Sequence, residues 1–153
     1  MRIMAVDYGD ARTGVAVSDE SASLTGDAWV ISSKRDNETA STIVTEAKAR
    51  GVSCIVVGLP KNMDGSVGPR AEKCIQFADL LHTTAQHQQS TSHPTDIEII
   101  LRDERLTTMS AHRILTDVGK YGKKRKKTVD AIAASLILEE YLAFMNGSKG
   151  RGF

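Results

Sequence analysis

Residues 53–59, SCIVVGL, carry a continuous apolar run of strand length, set between Gly51 and Pro60. Apolar and polar side chains do not alternate along it. A strand of this kind is buried on both faces of its sheet, which needs a covering layer on each side. The rest of the chain must supply those layers.

The N-terminal part reads as strands. RIMAVDY (2–8) and TGVAVS (13–18) are joined by GDAR, a link short enough for a hairpin. DAWVISS (27–33) fits a third, antiparallel strand. The period then changes. Within NETASTIVTEAKARGV (37–52), Ile43, Val44 and Ala47 keep helical spacing, and Gly51 is a good stop. PKNMDGSVGP is a loop by its Gly, Pro and Asn content. Helical spacing returns from about Arg70 to Leu81. Residues 82–95 are polar and read as a frayed helix end and a loop. DIEIILRDE (96–104) is a fifth strand, and Thr107 or Thr108 can cap a helix through about Asp117. KYGKKRKK (120–127) reads as a mobile basic loop before a closing helix at 128–145, with Thr128 as its N-cap. Residues 1–146 are expected to form one domain and 147–153 a flexible tail.

A three-strand meander followed by helix–strand crossovers gives an α/β fold, a mixed five-stranded sheet with helices on both faces. That is the layout of the ribonuclease H-like fold.

With 20 basic and 19 acidic residues in 153, overall charge points to no partner. Its distribution is uneven. Residues 120–127 hold six positive charges and no negative one, which suits a polyanion as well as a solvated loop. Cys54 and Cys74 lack the spacing of a disulfide framework or a zinc site, and the four histidines are scattered. These features fit a reducing compartment. The N-terminus shows no signal-type region, and the longest apolar stretch, AIAASLIL (131–138), is too short to span a bilayer. A cytoplasmic protein without a membrane partner is expected.

Carboxylates stand where ends of elements can meet. Asp7 ends the first strand, Asp103 and Glu104 end the fifth, and Asp130 opens the last helix. Each alone has an ordinary structural use: capping a turn, pairing with Arg102 or Arg105, or favouring a helix dipole. Together, with the first and fifth strands parallel, they share the carboxyl edge of one sheet. Clustered carboxylates raise one another's pKa unless a cation intervenes. Oxygen-only ligands suit Mg²⁺ or Mn²⁺. Two such ions roughly 3.5–4 Å apart can activate water and stabilise the leaving oxygen in phosphodiester cleavage.

VDYGDARTGVAVSD, VVGLPKNMDGSVGPRA, DERLTT and VDAIAASLILEEYL, in this order and spacing, resemble the YqgF family, also called RuvX. It is a relative of the RuvC Holliday-junction resolvases within the ribonuclease H-like superfamily. The likeness runs from about residue 2 to residue 145. It implies a cytoplasmic hydrolase, a Mg²⁺- or Mn²⁺-dependent nuclease in ribosome biogenesis that processes pre-16S rRNA, with branched DNA as the competing substrate. Residue by residue it implies Asp7, Glu104 and Asp130 as catalytic acids, with Asp103 as a further metal ligand. One departure stands out. The resolvases carry a carboxylate on the fourth strand, where this chain has Gly58-Leu59-Pro60. The middle carboxylate would then come from the fifth strand, and side-chain alternation lets only one of Asp103 and Glu104 face the site.

Candidate nucleic-acid contacts surround these acids. Gly9 and Gly14 would allow a tight turn and close approach of a nucleic-acid strand, and Arg12 would meet a phosphate. The 60–69 loop opens a helix, a phosphate-binding arrangement flanked by Lys61, Asn62 and Arg70. Arg105 adjoins the acids of the fifth strand. Lys123, Lys124, Arg125, Lys126 and Lys127 precede Asp130 and would supply a salt-sensitive phosphate grip. Aromatics are scarce, so backbone and shape recognition is expected. The competing readings are a nucleic-acid-binding protein with a weak site and a sugar-kinase-like phosphotransferase, for which one such domain is too short. A nuclease on RNA can act as a monomer, whereas a junction resolvase needs at least a weak homodimer.

Overall fold

The computed structural model describes residues 1–88, 96–104 and 122–150, the last segment with side chains from 129 to 147. Among the described residues, five strands and three helices follow in the order β1 (Arg2–Asp7), β2 (Arg12–Ser18), β3 (Thr25–Ser32), α1 (Asp36–Ala49), β4 (Val52–Leu59), α2 (Pro69–His87), β5 (Glu98–Asp103) and α3 (Gly122–Gly150). The sheet order is β3-β2-β1-β4-β5. β1, β2 and β3 pair antiparallel, while β4 runs parallel to both β1 and β5. This is the mixed α/β sheet of the ribonuclease H-like layout.

The strand register sorts side chains onto two faces. Met4 and Val6 of β1, with Tyr8 just past its end, join Ile55, Val57 and Leu59 of β4 beneath α1 and α2. Ile3 and Ala5 join Cys54 and Val56 beneath Ala134, Ile137, Leu138 and Leu142 of α3. Val56 and Val57 are both fully buried, one on each face. The unbroken apolar run of β4 thus has its physical reason: both of its faces are covered.

Three helix boundaries differ from the sequence expectation; one is the end of α3, which runs to Gly150, so residues 147–150, expected in a flexible tail, are helical. α2 continues past Leu81 to His87, because Ala85 is buried and Thr84 Oγ1 donates to the Leu80 carbonyl at 2.7 Å. Its other residues there are polar but tolerate helix on an exposed face. α3 begins at Gly122, so Lys123–Lys127 lie on its first turns and Thr128 is interior rather than a cap. Lys and Arg are good helix formers, though a run of cations opposes the dipole at a helix N-terminus and masks the start. The helix expected from Thr107 or Thr108 lies outside the described residues. No helix among the described residues is long and apolar enough to cross a membrane.

Candidate active site

β1 ends at Asp7 on the carboxyl edge, between β2 and β4. Asp7 follows the alternation of Ile3 and Ala5, which places it on the α3 face. Its neighbours there are two glycines. Gly14 is its direct partner on β2. Gly58 lies on β4, one residue beyond the Val6–Val57 pair.

Each glycine makes room for a different group. A Cβ on Gly14 would lie 1.9 Å from the carbonyl oxygen of Asp130. The α3 backbone therefore sits directly on the sheet at this point and carries Asp130 to Asp7. The sequence reading gave this closeness to a nucleic-acid strand; the approaching backbone is α3. A Cβ on Gly58 would lie 2.6 Å from Glu104 Cδ and Oε2, and 2.7 Å from Ile137 Cδ1. Glu104 thus fills the space above the β4 strand end. Its backbone N–H donates to the Leu59 carbonyl at 3.2 Å, and its side chain is buried, 4% exposed. Asp103 has the opposite parity, that of Ile97 and Ile99 on the α1–α2 face. Of the two acids at the end of β5, Glu104 is the one on the face of Asp7 and Asp130.

Asp130 lies about two turns inside α3, so a helix-dipole role in the first turn does not apply to it. Arg12 opens β2 and points its guanidinium at this acid, with Nε 3.4 Å from Asp130 Oδ2. Arg70, from the first turn of α2, donates from Nη2 to the Tyr8 carbonyl at 3.0 Å. Tyr8 faces the other way: its hydroxyl donates to Asp36 Oδ1 at 2.8 Å and its ring stacks on Phe77 at 4.4 Å. α1 and α2 therefore hold the end of β1 beside Asp7. At the β1–β2 turn, a Cβ on Gly9 would meet the Arg12 carbonyl oxygen at 2.3 Å, so the tight turn does require glycine.

The electrostatics follow this packing. Burial, then the charge of Asp130, push the Asp7 carboxyl up from 3.8 to about 7, against the pull of Arg70. Burial raises Asp130 as well, while Arg12 and Arg70 oppose it. Two acids that resist joint ionisation are a donor set a hard cation would relieve. Among the described residues no three His, Cys, Asp or Glu side chains converge as a complete metal cage. Mg²⁺ does not need one, because it binds through one or two carboxylates, with waters and substrate phosphates completing the shell. The Asp7–Asp130 pair fits that requirement.

Among the other predicted contacts, Asn62 is taken up by its own loop. Its N–H donates to the Ser66 carbonyl at 2.9 Å and its amide to Ser66 Oγ at 2.9 Å, while Asp64 Oδ1 accepts from the Ser66 N–H at 2.9 Å. Lys61 is half-buried between that loop and the end of β4. Lys123, Lys124, Arg125, Lys126 and Lys127 are placed by their backbone alone, on the turns of α3 that precede Asp130. Arg105 lies outside the described residues. The roles of Gly58 and Gly14 as seats for Glu104 and Asp130 escaped the sequence reading. The only sequence signal was a glycine inside an otherwise apolar strand, which marks close approach of another group.

Known proteins repeat this arrangement of elements. A relative from Halothermothrix orenii is 43% identical over 150 residues, covering 98% of this chain and 100% of its own. One from Acetivibrio thermocellus is 41% identical over 152 residues, covering 99% of each chain. Both bear the name "Putative pre-16S rRNA nuclease". Among solved structures, Thermus thermophilus RuvC in complex with a Holliday junction superposes with a TM-score of 0.57 at 10% identity, covering 97% of each chain. The fowlpox virus resolvase with Holliday junction DNA gives 0.54 at 13% identity, covering 95% of this chain and 99% of its own. At such identities the two superpositions speak for the fold alone, and it is the fold of the RuvC-like resolvases. The profile of the RuvX family, described as Holliday junction resolvase, matches residues 1–144. The chain belongs to the RuvX family.

Proposed function

We propose that this protein is a metal-dependent endonuclease that hydrolyses phosphodiester bonds in pre-16S rRNA. The observation that carries the reading is the meeting of Asp7 and Asp130 at one sheet edge, with Glu104 seated over Gly58 beside them. Asp7 and Asp130 would hold Mg²⁺ or Mn²⁺, which when bound supplies an activated water and charge stabilisation at the scissile phosphate. Glu104 is the third acid, on the same face as Asp7 and Asp130, and would orient water at the site. Asp103 is assigned no first role, since parity sends it to the other face. Arg12, Lys61 and Arg70 border the acids and bind substrate phosphates. Arg105 and Lys123–Lys127 extend that grip toward the body of the substrate. Asn62 contributes by holding its loop in shape. Residues 1–146 serve as the nuclease domain, and the protein acts in the cytoplasm.

The pre-rRNA substrate is favoured by the names of relatives matched over nearly their full length. Branched DNA is the second reading, favoured by the description of the family. Cleavage of purified pre-16S rRNA and of a four-way DNA junction, run side by side with sedimentation of the same sample, separates the two. Cutting of the rRNA by a monomer supports the first. Paired cuts in the junction by a dimer support the second. Binding of either without cleavage in Mg²⁺ or Mn²⁺ would leave a nucleic-acid-binding protein with a weak site.

A further inference from the structure

We propose that Arg12 is an exchangeable counter-ion of Asp130, so that nucleic acid and metal bind cooperatively. In the free protein Arg12 occupies Asp130. A substrate phosphate draws the guanidinium away and releases the carboxylate to the cation shared with Asp7. The proposal rests on the metal-dependent nuclease reading above.

Three observations carry it. First, the Arg12–Asp130 contact, at 3.4 Å, is longer than the roughly 2.7–2.9 Å of a well-made charge-assisted hydrogen bond. A phosphate offers Arg the bidentate geometry that this contact lacks. Second, Arg12 Nε is buried without a hydrogen-bond partner, yet the two side chains are 33% and 24% exposed, so a phosphate can reach the remainder of the pair from solvent. Third, both backbones are fixed. Arg12 pairs with Ser32 on β3 and its carbonyl packs on Gly9, while the Asp130 carbonyl packs on Gly14. Exchange therefore needs only side-chain rotation, with no movement of β2 or α3. Arg70 differs, because its donation to the Tyr8 carbonyl at 3.0 Å anchors it to the strand end. It remains in place while Arg12 moves.

Two sites coupled in this way must help each other equally. The test measures both directions. Mn²⁺ affinity of the free protein is read by calorimetry for wild type, Arg12→Gln, Arg12→Lys and Asp7→Asn. Affinity for a fluorescein-labelled, hydrolysis-resistant phosphorothioate DNA 12-mer is read by anisotropy, with and without saturating Mn²⁺ at constant ionic strength. Without DNA, Arg12→Gln should bind Mn²⁺ about fivefold tighter than wild type, and Arg12→Lys, which keeps the charge, should stay close to wild type. Mn²⁺ should tighten DNA binding in both proteins through its own contact with phosphate, and about fivefold more in wild type than in Arg12→Gln. Equal or weaker Mn²⁺ binding by Arg12→Gln, or equal coupling in both proteins, would overturn the proposal. Asp7→Asn separates the two levels of the account: if it binds Mn²⁺ as wild type does, the metal site itself is wrong and the exchange falls with it.

Discussion

Gly58 and Glu104 occupy one space. A methyl group on Gly58 would sit 2.6 Å from the carboxyl carbon of Glu104. A strand position that could bear a side chain toward the site bears none, and an acid from the next strand lies there instead. Gly58→Ala should therefore displace Glu104 and Ile137. Both are side chains that can give, so the stability cost should be about 1–3 kcal/mol. Cleavage should fall further than that cost explains, read as turnover under conditions where the variant remains fully folded.

Gly14→Ala meets a harder obstacle. The group in the way is the backbone carbonyl of Asp130, and it cannot move without α3. The cost should exceed that of Gly58→Ala, at more than about 3 kcal/mol. Urea denaturation of the two variants gives the comparison, and the opposite ranking would contradict the placement of α3.

Glu104→Gln should cost more activity than Asp103→Asn. The reason is parity, since Glu104 shares its face with Asp7 and Asp103 does not. Steady-state cleavage by both variants decides it.

The raised carboxyl of Asp7 predicts an unusual pH dependence in the metal-free protein. A carboxyl whose folded pKa, about 7, exceeds its ordinary 3.8 holds its proton better when folded. Its contribution to stability is complete below about pH 4 and is lost as pH rises to about 7. Asp7→Asn removes that loss. In EDTA the variant should be more stable than wild type at pH 8, by about 1–2 kcal/mol once solvent at this half-buried edge is considered. Near pH 4 the advantage should vanish, as thermal melts across the range would reveal.

The basic run now sits on a helix, which sharpens its test. Replacing Lys123, Lys124, Arg125 and Lys126 with Ala keeps a strong helix former at each position, so the melting temperature should hardly change. Nucleic-acid affinity should fall. The slope of log K against log salt should flatten by roughly 0.7 per lost contact on single strands or 0.9 on duplex. An unchanged slope would leave these residues as a solvated helix face.

Much of this molecule was legible in its sequence where apolar spacing is periodic. β4 announced itself because Val56 and Val57 must be covered on opposite faces, and the parallel β1–β4–β5 core followed from the crossovers. The ends of α2 and α3 were not legible. His82–His87 carry one apolar side chain, Ala85, and Lys123–Lys127 none, so neither stretch shows an apolar period in the sequence. Asp7, Glu104 and Asp130 could be placed at one edge by topology. What seats them could not be read, because Gly14 meets Asp130 and Gly58 meets Glu104 only after α3 and β5 are packed. Arg12 was read as a phosphate ligand, and its pairing with Asp130 also depends on that packing.

We place the chemistry at Asp7, held between Gly14 and Gly58 and beside Asp130. The most direct measurement is single-turnover cleavage of pre-16S rRNA in Mg²⁺ by wild type and by Asp7→Asn, with circular dichroism on both. A folded variant at least about a hundredfold slower is the predicted result. A folded variant that cleaves at the wild-type rate would contradict the account.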